Sequence, residues 1–297
     1  MSNPTKEISM STIDDILTGL YENRIVPYLG PGVLADVTQI GTGVPMPADS
    51  DSLIIAMNDG RPMAPKLMYE FPRAAMNVEL KRGRSFVERF LEKTYGQTRW
   101  TRAALHDWLA SWKPRYVIDV NRDTQLQETY ADQPHTLIRG LARIAGTNYR
   151  FTVHQYGEGQ YREITQEEAD PSLPILFKPM GSPLPSPKFI ASDADYVDYI
   201  TELMGGFAIP SFLKEYRKDK QYLLIGLPLN RDSERMVMSD IIQSAAEPKG
   251  WVLNKSPTNK EKKYCEKMGL EILDSGVEDL LVAAGWLAGE LGEKTAA

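Results

Sequence analysis

The sequence predicts an α/β fold in which helices cover both faces of a parallel β-sheet. Short apolar runs that are typical of buried strands alternate with longer segments that have the apolar spacing of helices. Apolar residues make up 42% of the 297 residues, so a substantial core can be buried. A long helical stretch separates the first two strands. We therefore expect one domain over residues 1–297, with a helical cap inserted at 55–112.

The first predicted helix begins near Ser11, whose hydroxyl can cap it, and Asp14 and Asp15 suit its positive end. A buried strand, IVPYL, follows at 25–29. The next predicted elements are a loop at 38–52, helices at 66–95 and 101–112, a strand at 116–120, a helix at 134–144, a strand at 150–154 and its hairpin partner at 161–164.

The second half of the chain continues the alternation of strands and helices. Ser192 is expected to cap a helix, because Asp193 and Asp195 follow in its first turn. The predicted elements are a strand at 175–178, helices at 192–204 and 210–217, a strand at 222–225, a helix at 232–245, a strand at 251–253, a helix at 257–268, a strand at 271–273 and a helix at 276–291.

Charge and cysteine content narrow the function classes. The net charge is −6 and the pI is about 5.3, which argues against a nucleic-acid binder with a basic surface. The single cysteine, Cys265, excludes a disulfide framework or a cysteine zinc site within one chain. No signal peptide and no apolar run of membrane-spanning length is visible. We expect a cytoplasmic protein without a membrane or nucleic-acid partner and without a bound metal.

The segment Gly30-Pro31-Gly32 ends the first strand and has two interpretations. Glycines at a strand end let the backbone approach a pyrophosphate and donate N–H groups to it. Pro31 removes one of those donors. The same glycines would also serve a tight turn from strand to helix, and the sequence leaves the two interpretations open.

Polar residues and glycines follow three other strands. Asn121 and Asp123 end the second strand, where they could bind a ribose or a water, or form an Asx turn, which the residues alone favour. Gly181 follows the strand at 175–178. Gly226 and Asp232 follow the strand at 222–225, and Asp232 is a plausible helix cap. Because parallel strands end at one edge of a sheet, these residues predict a shared crevice.

Candidates for a base or nucleophile are few. Of the three histidines, His154 at a strand end is the best placed for a crevice, whereas His106 and His135 lie in predicted helices. The common hydrolase, Walker and zinc-protease motifs are missing. Lysines near Cys265 could lower the pKa of its thiol, but an ordinary helical thiol is the better interpretation.

Four segments in this order carry a family resemblance: IVPYLGPG at 25–32, YVIDVNRDTQLQE at 116–128, ILFKPMGSP at 175–183 and YLLIGLPLNRDSERMVM at 222–238. They are similar to the first strand with its GAG loop, the TTNYDxLLE segment, the strand ending in Lys-x-His-Gly-Ser and the LLFLGYSLRDxxLR segment of the SIR2-like (sirtuin-related) proteins. The chain therefore resembles that family over most of its length.

The resemblance implies a Rossmann-like sheet with an NAD pocket beneath a helical cap. By this resemblance the cofactor, NAD or ADP-ribose, would contact Gly30, Gly32, Asn121, Gly181, Gly226 and Asp232, with Asn121 near the nicotinamide ribose. The family's enzymes use the histidine of the His-Gly motif as a general base. Met180 stands at that position here, and a thioether does not accept a proton at neutral pH.

The lost histidine suggests a SIR2-like pseudoenzyme that works by binding another protein. A regulatory, assembly or maturation factor is meant, for instance one for a redox metalloenzyme such as nitrogenase, and a homo-oligomer is another option. The cap's apolar inventory could serve as the partner surface: Met57, Met63, Met68, Tyr69, Phe71 and Met76. Residue by residue, core packing is the more common use of such side chains.

Two rival hypotheses keep a nucleotide in the site. In the first, the protein is an NAD hydrolase in which Asn121, Asp123 and His154 orient the water instead of the missing histidine. In the second, NAD or ADP-ribose is a sensed ligand that orders the cap without being consumed.

Overall fold

The computed structural model describes residues 10–288. Its strands are β1 (Ile25–Leu29), β2 (Tyr116–Asp119), β3 (His135–Gly140), β4 (Phe151–Gly157), β5 (Gln160–Ile164), β6 (Ile175–Lys178), β7 (Gly181–Ser182), β8 (Lys188–Phe189), β9 (Gln221–Ile225), β10 (Gly250–Leu253) and β11 (Leu270–Leu273). Its α-helices are α1 (Met10–Tyr21), α2 (Ser50–Met57), α3 (Phe71–Arg82), α4 (Arg84–Glu92), α5 (Ala104–Trp112), α6 (Gln125–Thr129), α7 (Asp193–Met204), α8 (Ser211–Tyr216), α9 (Asp232–Ile241), α10 (Asn259–Met268) and α11 (Val277–Ala283).

Nine of the strands form one sheet in the order β11-β10-β9-β1-β2-β6-β3-β4-β5. The seven strands from β11 to β3 run parallel, and β4 and β5 continue the sheet as an antiparallel hairpin. This confirms the predicted α/β class and the hairpin partner of β4. Strands β7 and β8 pair separately.

Helices pack on both faces of the sheet, as predicted. Ile25 and Leu29 of β1 belong to one apolar core, which also contains residues of α1, α5 and α11. Val26 and Tyr28, which alternate with them, belong to the other core together with residues of α7, α8 and α9. The alternation follows from the two-residue period of a strand, and both faces are buried because the sheet is mostly parallel.

The predicted helix at 134–144 is wrong, because this segment contains strand β3. All six residues of β3 are buried between its neighbours β6 and β4. A short apolar run does not by its spacing alone distinguish a buried strand from a buried helix. In this chain the pairing of the segment with β6 and β4 makes it a strand. His135 consequently lies in a strand, where its Nε2 is 2.8 Å from the hydroxyl of Tyr161.

The order of the sheet reverses between β1 and β9. From β1 the chain moves to β2 on one side, whereas β9 lies on the other side of β1 and leads outward to β10 and β11. In open α/β sheets ligands bind outside the carboxyl ends of the strands at such a reversal. The loop after β1 and the loop after β9 therefore lie where a binding site is expected.

The helices between β1 and β2 serve different parts of the molecule. Helix α5 packs against α11, whereas α3 contacts α7 near the predicted crevice. Asp195 links α7 to α4, because its Oδ1 pairs with Arg84 of α4. Its Oδ2 accepts the N–H of Ser192, 3.1 Å away, at the start of α7. The one-domain division with a cap at 55–112 stays a prediction. Within residues 10–288, no helix has the length and apolar character required to span a bilayer.

Candidate functional site

The glycines after β1 and β9 bring two loops into backbone contact. The N–H of Gly30 donates to the carbonyl of Ile225 at 2.9 Å, and the N–H of Gly32 donates to the carbonyl of Gly226 at 2.8 Å. A Cβ at Gly30 would lie 2.5 Å from the Cα of Leu227, and a Cβ at Gly32 would lie 2.9 Å from the Cα of Gly226. The loops can approach this closely because side chains are missing at both points.

This packing bears on the two interpretations of the Gly30-Pro31-Gly32 loop. The N–H groups of Gly30 and Gly32 donate to the loop after β9, and the N–H of Val33 donates to the carbonyl of Gly30 at 3.2 Å. Pro31 has no N–H. The geometry thus favours a tight turn over a phosphate-binding loop. Contact of Gly30 or Gly32 with a cofactor stays a prediction.

Asn121 and Asp123 follow β2 and hold this region in place. The side-chain amide of Asn121 donates to the carbonyl of Gly30 at 3.0 Å, which links the second strand end to the first. Asp123 Oδ1 accepts the N–H of Gln125 at 2.8 Å, so the Asx turn favoured by the residues is present. In the described part of the chain, Asp123 Oδ2 is buried without a hydrogen-bond partner.

A buried ion pair lies beneath Asn121, and sequence reasoning missed it. Lys178 Nζ, at the end of β6, is 2.6 Å from Asp119 Oδ2, at the end of β2, and both side chains are fully buried. Asp119 Oδ1 accepts the N–H of Asn121 at 2.9 Å. Burial raises the pKa of the Asp119 carboxyl, and the ammonium of Lys178 opposes that shift. The sequence signal for this ion pair is a charged residue at the end of each of two apolar strands.

His106 also joins this buried group, although its position in α5 gave no sign of it. Ligand atoms of His106, Asp119 and Asp123 lie within 4.8 Å of one another. Among residues 10–288, His106 Nε2 has no hydrogen-bond partner, and burial lowers the pKa of His106 to about 3. A neutral imidazole and two carboxylates could ligate a cation, but Lys178 already supplies a positive charge at Asp119.

A small cavity, which we call the inner cavity, lies beside these strand ends. Its volume is about 60 Å³. Its floor includes Tyr28, Asn121 and Met180, and its charged lining residues are Glu70, Arg122, Arg231 and Glu234. Arg122 donates to the carbonyl of Ile190 at 2.7 Å and 3.0 Å, and its guanidinium lies over the ring of Phe71. The positive charge of Arg122 is therefore used within the protein.

A larger depression, which we call the outer groove, runs along the carboxyl ends of β1, β9, β10 and β11. Its volume is about 580 Å³. Gly32, Gly226, Asn254, Lys255 and Ser275 contribute to its lining, and so do the first residues of α10 and α11. Pro31, Ala48 and Leu227 line both the outer groove and the inner cavity. The two spaces are thus neighbours across the loop after β1.

The model of the SIR2-like domain family matches residues 115–273, which is more than half of the chain. The chain belongs to the SIR2-like domain family. The match begins just before β2, so β1 and its glycine loop lie outside it. No curated protein matches the chain. The family and the α/β architecture agree with what the sequence predicts.

The structure brings some of the predicted site residues together and leaves others apart. Asn121 and Met180 line the inner cavity, and Gly32 and Gly226 line the outer groove. The remaining predicted residues line neither space: Gly30, Asp123, His154, Gly181 and Asp232. Their catalytic or cofactor-binding roles stay predictions.

His154, Gly181 and Asp232 have other surroundings. His154 lies in β4, toward the edge of the sheet opposite to β11, and burial lowers its pKa to about 4. Gly181 has φ +84° and lies against the backbone of Lys188. Asp232 is exposed at the start of α9 and pairs with Arg235, while its N–H donates to Glu70 Oε1 at 2.9 Å.

Met180 is 3% exposed and faces the inner cavity, at the place where the resemblance puts a histidine. A thioether there can fill space but cannot relay a proton. The same cavity contains a carboxyl that sequence reasoning missed, Glu234 in the first turn of α9. Burial raises the pKa of Glu234 to about 8. Its sequence signal is weak, because an acid in the first turn of a helix is common.

Two further predictions concern side chains outside the site. Cys265 is buried, and burial raises the pKa of its thiol to about 11, which agrees with the ordinary helical thiol that the sequence favours. Of the apolar residues expected to form a partner surface, Met57 and Phe71 belong to the core, and Met63 and Met68 pack against it. Tyr69 is exposed. These methionines therefore support packing more than a partner surface.

Proposed function

We propose that this SIR2-like protein binds the ADP-ribose part of NAD, or ADP-ribose itself, in the outer groove. The observation that carries the proposal is the volume of the groove, about 580 Å³, at the strand ends where the sheet order reverses. Small-ligand sites commonly have volumes of about 300–1,000 Å³ and lie at such reversals. The family assignment supports a nucleotide of the NAD class.

The lining of the outer groove offers polar groups to such a ligand. Ser275 Oγ is buried, lines the groove and has no hydrogen-bond partner among residues 10–288. Buried polar groups normally have partners, so an orphaned hydroxyl in a groove is a candidate ligand contact. Lys255 lines the same groove, and its Nζ lies 2.7 Å from Asp279 Oδ2 near the surface, where it could instead face a phosphate.

The inner cavity does not fit a nicotinamide ring. A cavity that holds benzene has a volume of about 150 Å³, whereas the inner cavity measures about 60 Å³. Met180 also offers no base at the family's histidine position. The residues present thus fit the ADP-ribose half of NAD and not a buried nicotinamide. We therefore favour ligand sensing over the histidine-dependent reaction of the family.

Ligand-dependent thermal unfolding tests the proposal. We expect ADP-ribose and NAD to raise the midpoint, and a ligand at 100 times its Kd adds about 2.7 kcal/mol of stability. Nicotinamide mononucleotide, which lacks the adenosine half, should give no shift. Ser256→Trp would fill the groove from its exposed rim and should abolish both shifts.

Ser244→Trp is the matched control, because Ser244 is also exposed but lines neither space. The control should keep the ligand-dependent shift of the unmodified protein. An unchanged midpoint at millimolar ADP-ribose, or a full shift in Ser256→Trp, would refute the proposed site.

A protein-binding role is a second candidate, and one surface favours it. Val197 and Met204 of α7 are 67% and 71% exposed. Seven residues apart on a helix, they lie on the same face. A regulatory or assembly factor could use this face, and a metalloenzyme such as nitrogenase as the partner stays a prediction.

Size-exclusion chromatography of the protein with a candidate partner tests this role. Val197→Glu combined with Met204→Glu should abolish co-elution and leave ADP-ribose binding intact. Co-elution that survives both substitutions would exclude the α7 face. A homo-oligomer would be recognised in the same experiment by self-association that the double variant removes.

A further inference from the structure

The inner cavity contains a carboxyl group with no assigned task. Glu234 lies in the first turn of α9 and lines the cavity together with Asn121 and Met180. Its Oε2 atom is fully shielded from solvent and has no hydrogen-bond partner in the part of the chain that the structure describes. A buried, unpaired carboxyl oxygen costs free energy, so such a group normally marks a ligand, a water or a reaction.

The charged and titratable groups around Glu234 come from five elements and loops. They are Arg231 just before α9, Arg235 on α9, Glu70 before α3, Arg122 after β2, Tyr28 in β1 and Tyr196 in α7. Arg122 and Arg235 bind backbone carbonyls, and Glu70 Oε1 accepts the N–H of Asp232. The neighbouring cations are thus occupied elsewhere, although their charge still acts on Glu234.

These surroundings leave Glu234 able to ionise close to neutral pH. Burial is the main cause that raises its pKa, to about 8, and Glu70 adds to the shift. Arg231, Arg122 and Arg235 oppose it. The N-terminus of α9 also stabilises the charged form. A carboxyl that exchanges its proton near the working pH suits general acid–base chemistry.

The inner cavity has the size of a water site. A buried water needs at least about 10–15 Å³ and two or more polar partners. The cavity has about 60 Å³, and Glu234, Asn121 and Arg122 are among its polar lining residues. Pro31 and Leu227 line both this cavity and the outer groove, so the two spaces meet at these residues. A water beside Glu234 would therefore adjoin the inner end of a ligand in the groove.

We propose that Glu234 is the general base of this site and acts on an ADP-ribosyl compound held in the outer groove. The Glu234 carboxylate takes a proton from a water in the inner cavity, and the water oxygen forms a bond to C1′ of the ribose. The bond from C1′ to the leaving group breaks, and its electron pair goes to the leaving group. With NAD, neutral nicotinamide leaves without needing a proton, and the other product is ADP-ribose.

This inference rests on the proposed nucleotide site. It assigns the general base to Glu234 and not to the family histidine position. The family histidine position is Met180, on the loop after β6, whereas Glu234 belongs to α9. Both residues line the same cavity. Because the cavity is too small for a nicotinamide ring, the leaving group must depart on the side of the groove. Any ADP-ribosyl compound with an outward leaving group would then be a substrate.

The test uses NAD as the probe and measures nicotinamide and ADP-ribose by chromatography across pH 5.5–9.5. We expect the rate to rise with pH and to level off above about pH 8. Glu234→Gln preserves the shape of the side chain and should lower the rate by at least about 100-fold. Glu215→Gln, an exposed substitution far from both spaces, should leave the rate unchanged.

Two further variants report on the Glu234 proton itself. Glu70→Gln removes a charge that raises the pKa of Glu234, so the midpoint of the rate profile should fall by about half a unit to one unit. Arg231→Gln removes a charge that lowers this pKa, so the midpoint should rise. A merely structural role of Glu234 would not move the midpoint in opposite directions.

The outcomes separate this inference from the proposed function. Calorimetry with ADP-ribose on the same samples decides whether the groove binds its ligand. Binding without NAD cleavage, or cleavage that survives Glu234→Gln with an unmoved midpoint, would overturn the role of Glu234 and leave the binding site standing. No ADP-ribose binding would overturn both. NAD cleavage whose pH midpoint falls in Glu70→Gln and rises in Arg231→Gln would support both the binding site and the role of Glu234.

Discussion

The outer groove and the inner cavity adjoin each other but are lined by different kinds of residues. The groove is about 580 Å³, open, and lined largely by loops after the strands and by helix starts. The cavity is about 60 Å³ and lined by aromatic and charged side chains, several of which come from the segment between β1 and β2. Pro31, Ala48 and Leu227 line both spaces.

The difference indicates that recognition and chemistry can change separately in this fold. The groove depends on backbone geometry, because Gly30, Gly32 and Gly226 let two loops pack without side chains. The cavity depends on individual side chains, among them Met180, where the family resemblance places a histidine. A substitution in one space should therefore leave the other largely intact, and the following experiments test that separation.

The largest effect is expected from removing the cation beneath the cavity. Lys178→Met would leave Asp119 buried without its partner, and breaking a buried ion pair typically costs about 3–5 kcal/mol. Because Asp119 also accepts the N–H of Asn121, the floor of the inner cavity should loosen as well. Urea unfolding would measure the loss in the free energy of unfolding.

Removing both charges provides the control for that experiment. Asp119→Leu combined with Lys178→Met leaves no unpaired charge, so much of the lost stability should return. A single variant as stable as the unmodified protein would show that the pair does not hold the cavity floor. ADP-ribose binding in the groove should persist in the double variant.

The sequence predicts two residues of each space but misses Glu234 in the cavity, for a physical reason. Glycines after strands and helix caps are local signals, so the loops at Gly32 and Gly226 could be found without knowing the pairing of the strands. The cavity joins Asn121, Met180 and Glu234, which are distant in sequence, and their meeting depends on the order of the sheet. Strand β3 was mistaken for a helix for the same reason, since its pairing decides its structure.

Glycine substitutions sharpen the role of the backbone in the groove. Gly226 has φ +63°, and a Cβ there would lie 2.7 Å from the N atom of Val33. Gly226→Ala should therefore lower the free energy of unfolding by about 3 kcal/mol, from strain and steric conflict together. Gly43 has φ +71° but open space around it, so Gly43→Ala should cost about 1 kcal/mol. Equal losses in chemical denaturation would show that close packing of the loops contributes nothing.

The pH dependence of the unfolding free energy tests the ionisation of Glu234 in the inner cavity. The folded-state pKa of Glu234 is about 8, above its ordinary value of 4.5, so the folded protein holds this proton more tightly. Its contribution is fully present below pH 4.5 and is lost as the pH rises through 8. Relative to Glu234→Gln, the unfolding free energy of the unmodified protein should fall by about 4 kcal/mol from pH 5 to pH 8.5. A difference that stays constant with pH would exclude a raised pKa at Glu234.

The smallest effect concerns one hydroxyl in the groove and separates binding from stability. Ser275 Oγ has no partner within the described residues, so Ser275→Ala should leave the ligand-free protein about as stable or slightly more stable. If that hydroxyl bonds to ADP-ribose, its loss should weaken binding about 3- to 10-fold, which calorimetry resolves. Thr136 Oγ1 in β3 is also buried and unpaired in the described structure but lines neither space, so Thr136→Val should leave the affinity unchanged. Equal affinities in all three proteins would remove Ser275 from the ligand contacts.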